Sequence, residues 1–244
     1  MDMGVIIVAL LFFTIHSVHA EARDWWDTLS VTPERLVGLL DLHDVVRGGC
    51  GEPVERTTAR VFRTPAENGD VVGRLYWQHS TDAVCGLMFE NAQGDKEEVP
   101  TLESGYEVPA AIVYERRGSW FRIRLPNGSS WIRRTDPEEF LPYPDLLREN
   151  LAHMLPGWDG TLRETPNMSG KIRPLAPGWH ELLERQPSVE YLGSRRVGKD
   201  LWIHVKLLTE TCDEKLEGMT PVTGWVPAYR PNRAPSVWFS SRGC

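Results

Sequence analysis

The chain reads as a mainly β protein: two small β-barrels in tandem, joined by a short helical linker. Three observations predict this. A six-residue strand occurs twice, as "WFRIRL" (120–125) and "WIHVKL" (202–207). Each copy is flanked by the same kinds of turn in the same order. Between the copies, prolines bracket a segment that reads as helix.

The strand justifies itself by alternation. Successive side chains of a strand point to opposite faces, so Phe121, Ile123 and Leu125 share one face, and Trp120, Arg122 and Arg124 the other. Ile203, Val205 and Leu207 repeat the aliphatic face, opposite Trp202, His204 and Lys206. Before each strand stands a glycine turn ("ERRGS", "RRVGKD"), and after each a turn leads to a Trp-aliphatic pair ("NGSSWI", "VTGWVP"). Asn-Gly between alternating strands is a strong tight-hairpin signal. Further upstream, "RVFRTPAENGDVVGRL" and "TLRETPNMSGKIRPL" share a strand, a Pro turn and a returning aliphatic strand. Several short strands with regular turns predict a small barrel.

These signals divide the chain into a lead segment (21–58), a first barrel (59–135), a linker (136–158) and a second barrel (159–244). In the linker, "PDLLRENLAHML" predicts a helix with Pro144 in its first turn and Leu146, Leu147, Leu151 and Met154 on one face. "TPERLVGLLDL" predicts a second short helix, with Thr32 as N-cap and Pro33 in its first position.

The first twenty residues predict export. "GVIIVALLFFTIHSVHA" is an apolar run ending in small residues, with Val18 and Ala20 at the positions a signal peptidase reads. The run is too short for a comfortable membrane span. Beyond residue 20 stand Cys50, Cys85, Cys212 and Cys244, an even number that predicts two disulfides in an exported protein. Four cysteines allow three pairings. Proximity along the chain favours Cys50–Cys85 and Cys212–Cys244, each closing a loop worth roughly 4 kcal/mol at most.

Composition narrows the function. The formal net charge is −7 and no Lys/Arg block stands out, which argues against nucleic acid as partner. No cysteine/histidine spacing suits a metal; "HELLE" (180–184) lacks the second histidine of a zinc helix. No nucleophile-and-base motif is present and no cofactor is implied, so no enzyme activity is expected. Ten tryptophans remain to be placed. Trp131 and Trp225 are expected to be partly buried as barrel closers. Trp120 and Trp202, beside Arg122, Arg124 and His204, suggest an exposed aromatic-basic strip.

In the order "Pro turn, returning strand, RRGSWFRIRL, NGSSWI, GWVPAYRP" the chain resembles bacterial SH3 domains (SH3b), over 59–135 and 159–235. The resemblance implies SH3-like five-stranded barrels, a place at the cell envelope, periplasmic or extracellular, and binding of peptidoglycan or of an envelope protein or peptide. In the second copy, Trp202, Pro227 and Tyr229 match the aromatic groove of peptide-binding SH3 domains. The first copy keeps Trp120 but has Arg133 and Arg134 where "PAY" would stand. A structural or adaptor subunit of an envelope assembly is the alternative. A role beside a wall hydrolase is less compatible with the chain, because two barrels leave no room for a catalytic domain.

Overall fold

The computed structural model describes residues 29, 34–42, 58–79, 85–106, 108–148, 150–176, 178–179, 186–209 and 219–241. The expected signal peptide, Trp25 and Trp26, and Cys50, Cys212 and Cys244 lie outside these residues, as does the side chain of Cys85. The expected disulfides therefore lie outside the described part. No helix among the described residues is long and apolar enough to cross a membrane.

The chain is mainly β, in two curled antiparallel sheets. The first holds β1 (Gly38–Leu40), β2 (Ala59–Phe62), β3 (Val71–His79), β4 (Cys85–Asn91), β5 (Lys96–Glu98), β6 (Thr101–Gly105), β7 (Val108–Arg117), β8 (Trp120–Leu125), β9 (Gly128–Arg133) and β10 (Phe140–Pro142). A single helical turn, α1 (Tyr143–Leu146), leads to the second sheet. That sheet holds β11 (Ala152–Met154), β12 (Leu162–Arg163), β13 (Ile172–Arg173), β14 (Ser188–Val197), β15 (Asp200–Leu207), β16 (Val222–Pro227) and β17 (Val237–Phe239).

The two sheets are one design used twice. The first contains the path β3-β2-β9-β8-β7-β1-β10, and the second runs β13-β12-β16-β15-β14-β11-β17. Matched strands also follow one another in the same chain order. Strands β4 to β6 are an addition between the third and fourth matched strands of the first unit. Both Pro turns close with the same bonds: Arg63 N–H to Asp70 O and Gly69 N–H to Ala66 O in one, Glu164 N–H to Lys171 O and Gly170 N–H to Asn167 O in the other. Both turns leave little room for a side chain at their glycine. A Cβ on Gly69 would stand 3.0 Å from Thr64 Oγ1, and one on Gly170 2.6 Å from Thr165 Oγ1.

Alternation sorts side chains as expected. Phe121, Ile123 and Leu125 are buried, as are Ile203, Val205 and Leu207, each worth about 1.5–3 kcal/mol relative to exposure. The apolar run of β7 is different, because it is buried on both faces. Ala111 and Val113 face the core inside the first sheet, whereas Ala110, Ile112 and Tyr114 face a core shared with the second. Strand β1 splits likewise, with Leu40 on one side and Leu39 on the other. A strand buried on both faces reads as a continuous apolar run, and this wall joins the two units.

Two expected helices are corrected. The linker forms a 3-10 turn (Pro137–Glu139), β10, one turn of α-helix and then β11. Met154, expected on the helix face, lies in a strand. "TPERLVGLLDL" places 38–40 in β1, paired to β7 and β10, with Gly38 opposite Val113 and Pro142. The leucine spacing suits a helix, but pairing on two edges satisfies this short backbone without one. Of "GWHELLERQ" (178–186), Gly178, Trp179 and Gln186 are described; the first two are helical and Trp179 is fully buried.

Candidate functional site

A cleft of about 400 Å³ opens on the first unit, between β2, the Pro turn and the Trp120 end of β8. Its aromatic wall is Trp120, half-buried, with the Phe62 ring meeting it edge-on at 5.2 Å and 88°. Such edge-to-face contacts suit the ring quadrupoles. Alternation along β2 sends Val61 into the core and turns Arg60 and Phe62 together toward the cleft. The Arg60 guanidinium lies over the Phe62 ring at 5.5 Å.

Opposite Trp120 across β9 stands Arg133, ion-paired with Glu67 from the Pro turn. Arg134 is paired with Glu139, its Nε donating at 2.5 Å, and both of these side chains are largely buried. The Arg134 backbone N–H also donates to Ser119 O at 2.8 Å. Arg60 has no carboxylate partner among the described residues, so the cleft is an aromatic wall with a cationic rim.

The matching place on the second unit is filled. Trp202, aligned with Trp120 and facing Pro227 as Trp120 faces Arg133, is 2% exposed. Tyr229, two residues past Pro227, donates its hydroxyl to the carbonyl of Leu36. The Arg35 guanidinium covers its ring at 5.5 Å and reaches Asp200 at 3.5 Å. Burial pushes the Tyr229 hydroxyl up to about 12. The expected groove of Trp202, Pro227 and Tyr229 thus receives the chain's own residues 35–36. The β14–β15 hairpin continues for two residues before Trp202, whereas β8 begins at Trp120. This extension carries Asp200, which has no counterpart in the first unit.

The basic faces are also engaged. Arg122 makes a two-pronged pair with Glu34 at 2.5 and 2.6 Å, and donates to Glu115 at 3.3 Å and Ser129 Oγ at 2.9 Å. This hydrogen bonding holds the Glu34 carboxyl below its ordinary value and raises the Arg122 guanidinium. Arg124 is half-buried and also engaged within the chain. His204 stacks on Trp225 at 4.6 Å and 12°. Burial, and then the nearby Arg173, lower its pKa. Of the expected strip, Arg122, Arg124 and His204 thus meet partners within the chain and Trp202 is buried, whereas Trp120 lines the open cleft. Trp131 is buried and Trp225 half-buried.

Elsewhere, Ser188 Oγ and His153 Nδ1 lie 3.3 Å apart. Both belong to the β11–β14 pairing and Ser188 is buried, so the contact ties the two strands. Among the described residues, no group of three or more His, Cys, Asp or Glu is placed to hold a metal ion. The Trp120 cleft had only its tryptophan as an advance signal. Phe62, Arg60 and Glu67 come from a different hairpin, and the strand pairing brings them there. Comparison with protein-family models, curated proteins and solved structures finds no match to this chain.

Proposed function

We propose that this chain is an exported, non-catalytic binding module of the bacterial cell envelope, built on two SH3-like barrels. It holds peptidoglycan or a peptide in the cleft beside Trp120. The observation that carries this reading is the half-buried Trp120, walled by Phe62 and rimmed by Arg60 and Arg133. Stacking on an indole together with guanidinium contacts supplies affinity and orientation without making or breaking a bond. The second unit acts as scaffold, since its aromatic groove is spent on residues 35–36. That occupied groove also supports the alternative, an adaptor subunit within an envelope assembly.

Co-sedimentation of the purified protein with cell-wall sacculi, and with an envelope-protein extract, tests the reading. Saturable binding that Trp120→Ala removes and Trp202→Phe leaves intact supports it. Binding indifferent to Trp120→Ala, or none to either preparation, refutes it.

A further inference from the structure

We infer that the Trp120 cleft takes an extended acidic peptide segment, an inference that rests on the binding role proposed above. The molecule displays the mode of recognition on its own second unit. There the occupant is polypeptide: residues 35–36 enter on their way into β1, offering the Leu36 carbonyl to the Tyr229 hydroxyl and the Arg35 guanidinium to the ring and to Asp200. Backbone is gripped by a hydrogen bond, and the side chain is chosen by charge. The first unit presents the same strands in the same order, with the same tryptophan, and its cleft is open.

The charge of the two places is reversed. Where the second unit sets Asp200 against an arginine of its occupant, the first sets Arg60 and Arg133 on the rim. Pro227 is matched by Arg133, and Tyr229, two residues on, by Thr135, which also lines the cleft. The hydroxyl of Thr135, shorter in reach than the tyrosine's, offers a peptide backbone a donor or acceptor at the edge of the cleft.

Of the rim groups, Arg134 is committed to Glu139 in a largely buried pair. Arg60 has no carboxylate among the described residues. Arg133 has only Glu67, and that pair is open to water, with side chains 44% and 71% exposed. Exposed pairs of this kind are weak and exchange readily. An incoming carboxylate therefore finds one guanidinium with no carboxylate partner among the described residues and a second held by a replaceable one. A neutral glycan could stack on Trp120, but it would leave both arginines unused. The local charge of the rim decides for the acidic peptide, against a net charge of −7 on the chain as a whole.

The test uses the full chain and three fluorescein-labelled probes: a short peptide alternating Glu and Leu, its Lys/Leu counterpart, and a muropeptide-free glycan fragment. Fluorescence anisotropy should show saturable binding of the acidic peptide, weakening with salt, and little of the other two. Arg60→Glu, an exposed change that breaks no ion pair among the described residues, should weaken the acidic peptide by at least about tenfold, as expected for one charge-assisted contact. Glu67→Gln should strengthen it by freeing Arg133. Equal binding of acidic and basic peptides, or acidic binding unchanged by Arg60→Glu, overturns the inference. Sacculus binding lost in Trp120→Ala with no acidic-peptide binding would sink this inference alone. Sacculus, extract and peptide binding all indifferent to Trp120→Ala would sink the proposed function as well.

Discussion

The first unit leaves its tryptophan at the mouth of an open cleft, whereas the second seals the matching tryptophan to 2% exposure and closes its groove with residues 35–36. Strand order, hairpin pairing and the Pro turn are the same in both. The difference lies in two things the shared strands do not control. One is the hairpin extension bearing Asp200, and the other is the path of the segment leading into β1. A duplicated fold can thus assign one copy to internal cohesion and leave the other free for a ligand. The two copies diverge at the rim while the strands stay put.

The largest expected effect breaks the joint between the units. Tyr143 is fully buried, donates its hydroxyl to Val237 O at 2.5 Å and stacks on Trp238 at 5.8 Å and 17°. Tyr143→Ala should cost about 3–5 kcal/mol, and urea unfolding should separate into two transitions. A single transition with unchanged midpoint would show that the units do not depend on this joint.

The paired tryptophans test the comparison directly. Trp202→Ala should likewise cost about 3–5 kcal/mol, as a fully buried aromatic does. Trp120→Ala, from a half-buried site, should cost only about 1 kcal/mol. Equal losses in chemical denaturation would mean the two tryptophans have not diverged. Tyr229→Phe isolates the grip on residues 35–36. It removes the hydroxyl that Leu36 O accepts from, and should cost about 1 kcal/mol while leaving Trp120-dependent binding intact.

Two smaller effects follow pH. The folded Glu34 carboxyl titrates below its unfolded value of about 4.5, held there first by its hydrogen bond with Arg122. Between the two values the unfolded chain binds more protons, so this stabilisation is full above pH 4.5 and fades as pH falls through the folded value. The pair is partly open to water, so about 0.5–1 kcal/mol is expected. Glu34→Gln should flatten that acidic slope in a stability–pH profile. His204 behaves similarly higher up: burial lowers its folded pKa below 6.5, so stability declines as pH drops below 6.5 and levels off beneath the folded value. An NMR titration placing the His204 imidazole at or above 6.5 would contradict this.

Much of the architecture was legible in the chain because its signals are local. The alternation in "WFRIRL" and "WIHVKL" sorts core from surface, and it does so in both sheets. The "TP" turns were legible for the same reason, since their bonds close within eight residues. The segments 34–42 and 150–154 were misread as helix because their leucines repeat at helical spacing. Their real partners, β7 with β10 and β14 with β17, lie far along the chain. The site was legible only at Trp120. Sequence pattern favoured the second copy's groove, since Trp202, Pro227 and Tyr229 stand in order there. Nothing near those residues indicates that the groove is already filled.

The chain by itself determined that it is β-rich, that it repeats a strand-turn motif, and which side chains of the repeated strands face inward. Those properties follow from period-two alternation and turn chemistry acting over a few residues. Tertiary structure alone decided which copy stays open. That outcome rests on Leu36 meeting Tyr229 across 193 positions and on Glu34 meeting Arg122 across 88. Contacts at such separations form only once strands distant in the chain have paired and packed, so no local pattern can announce them.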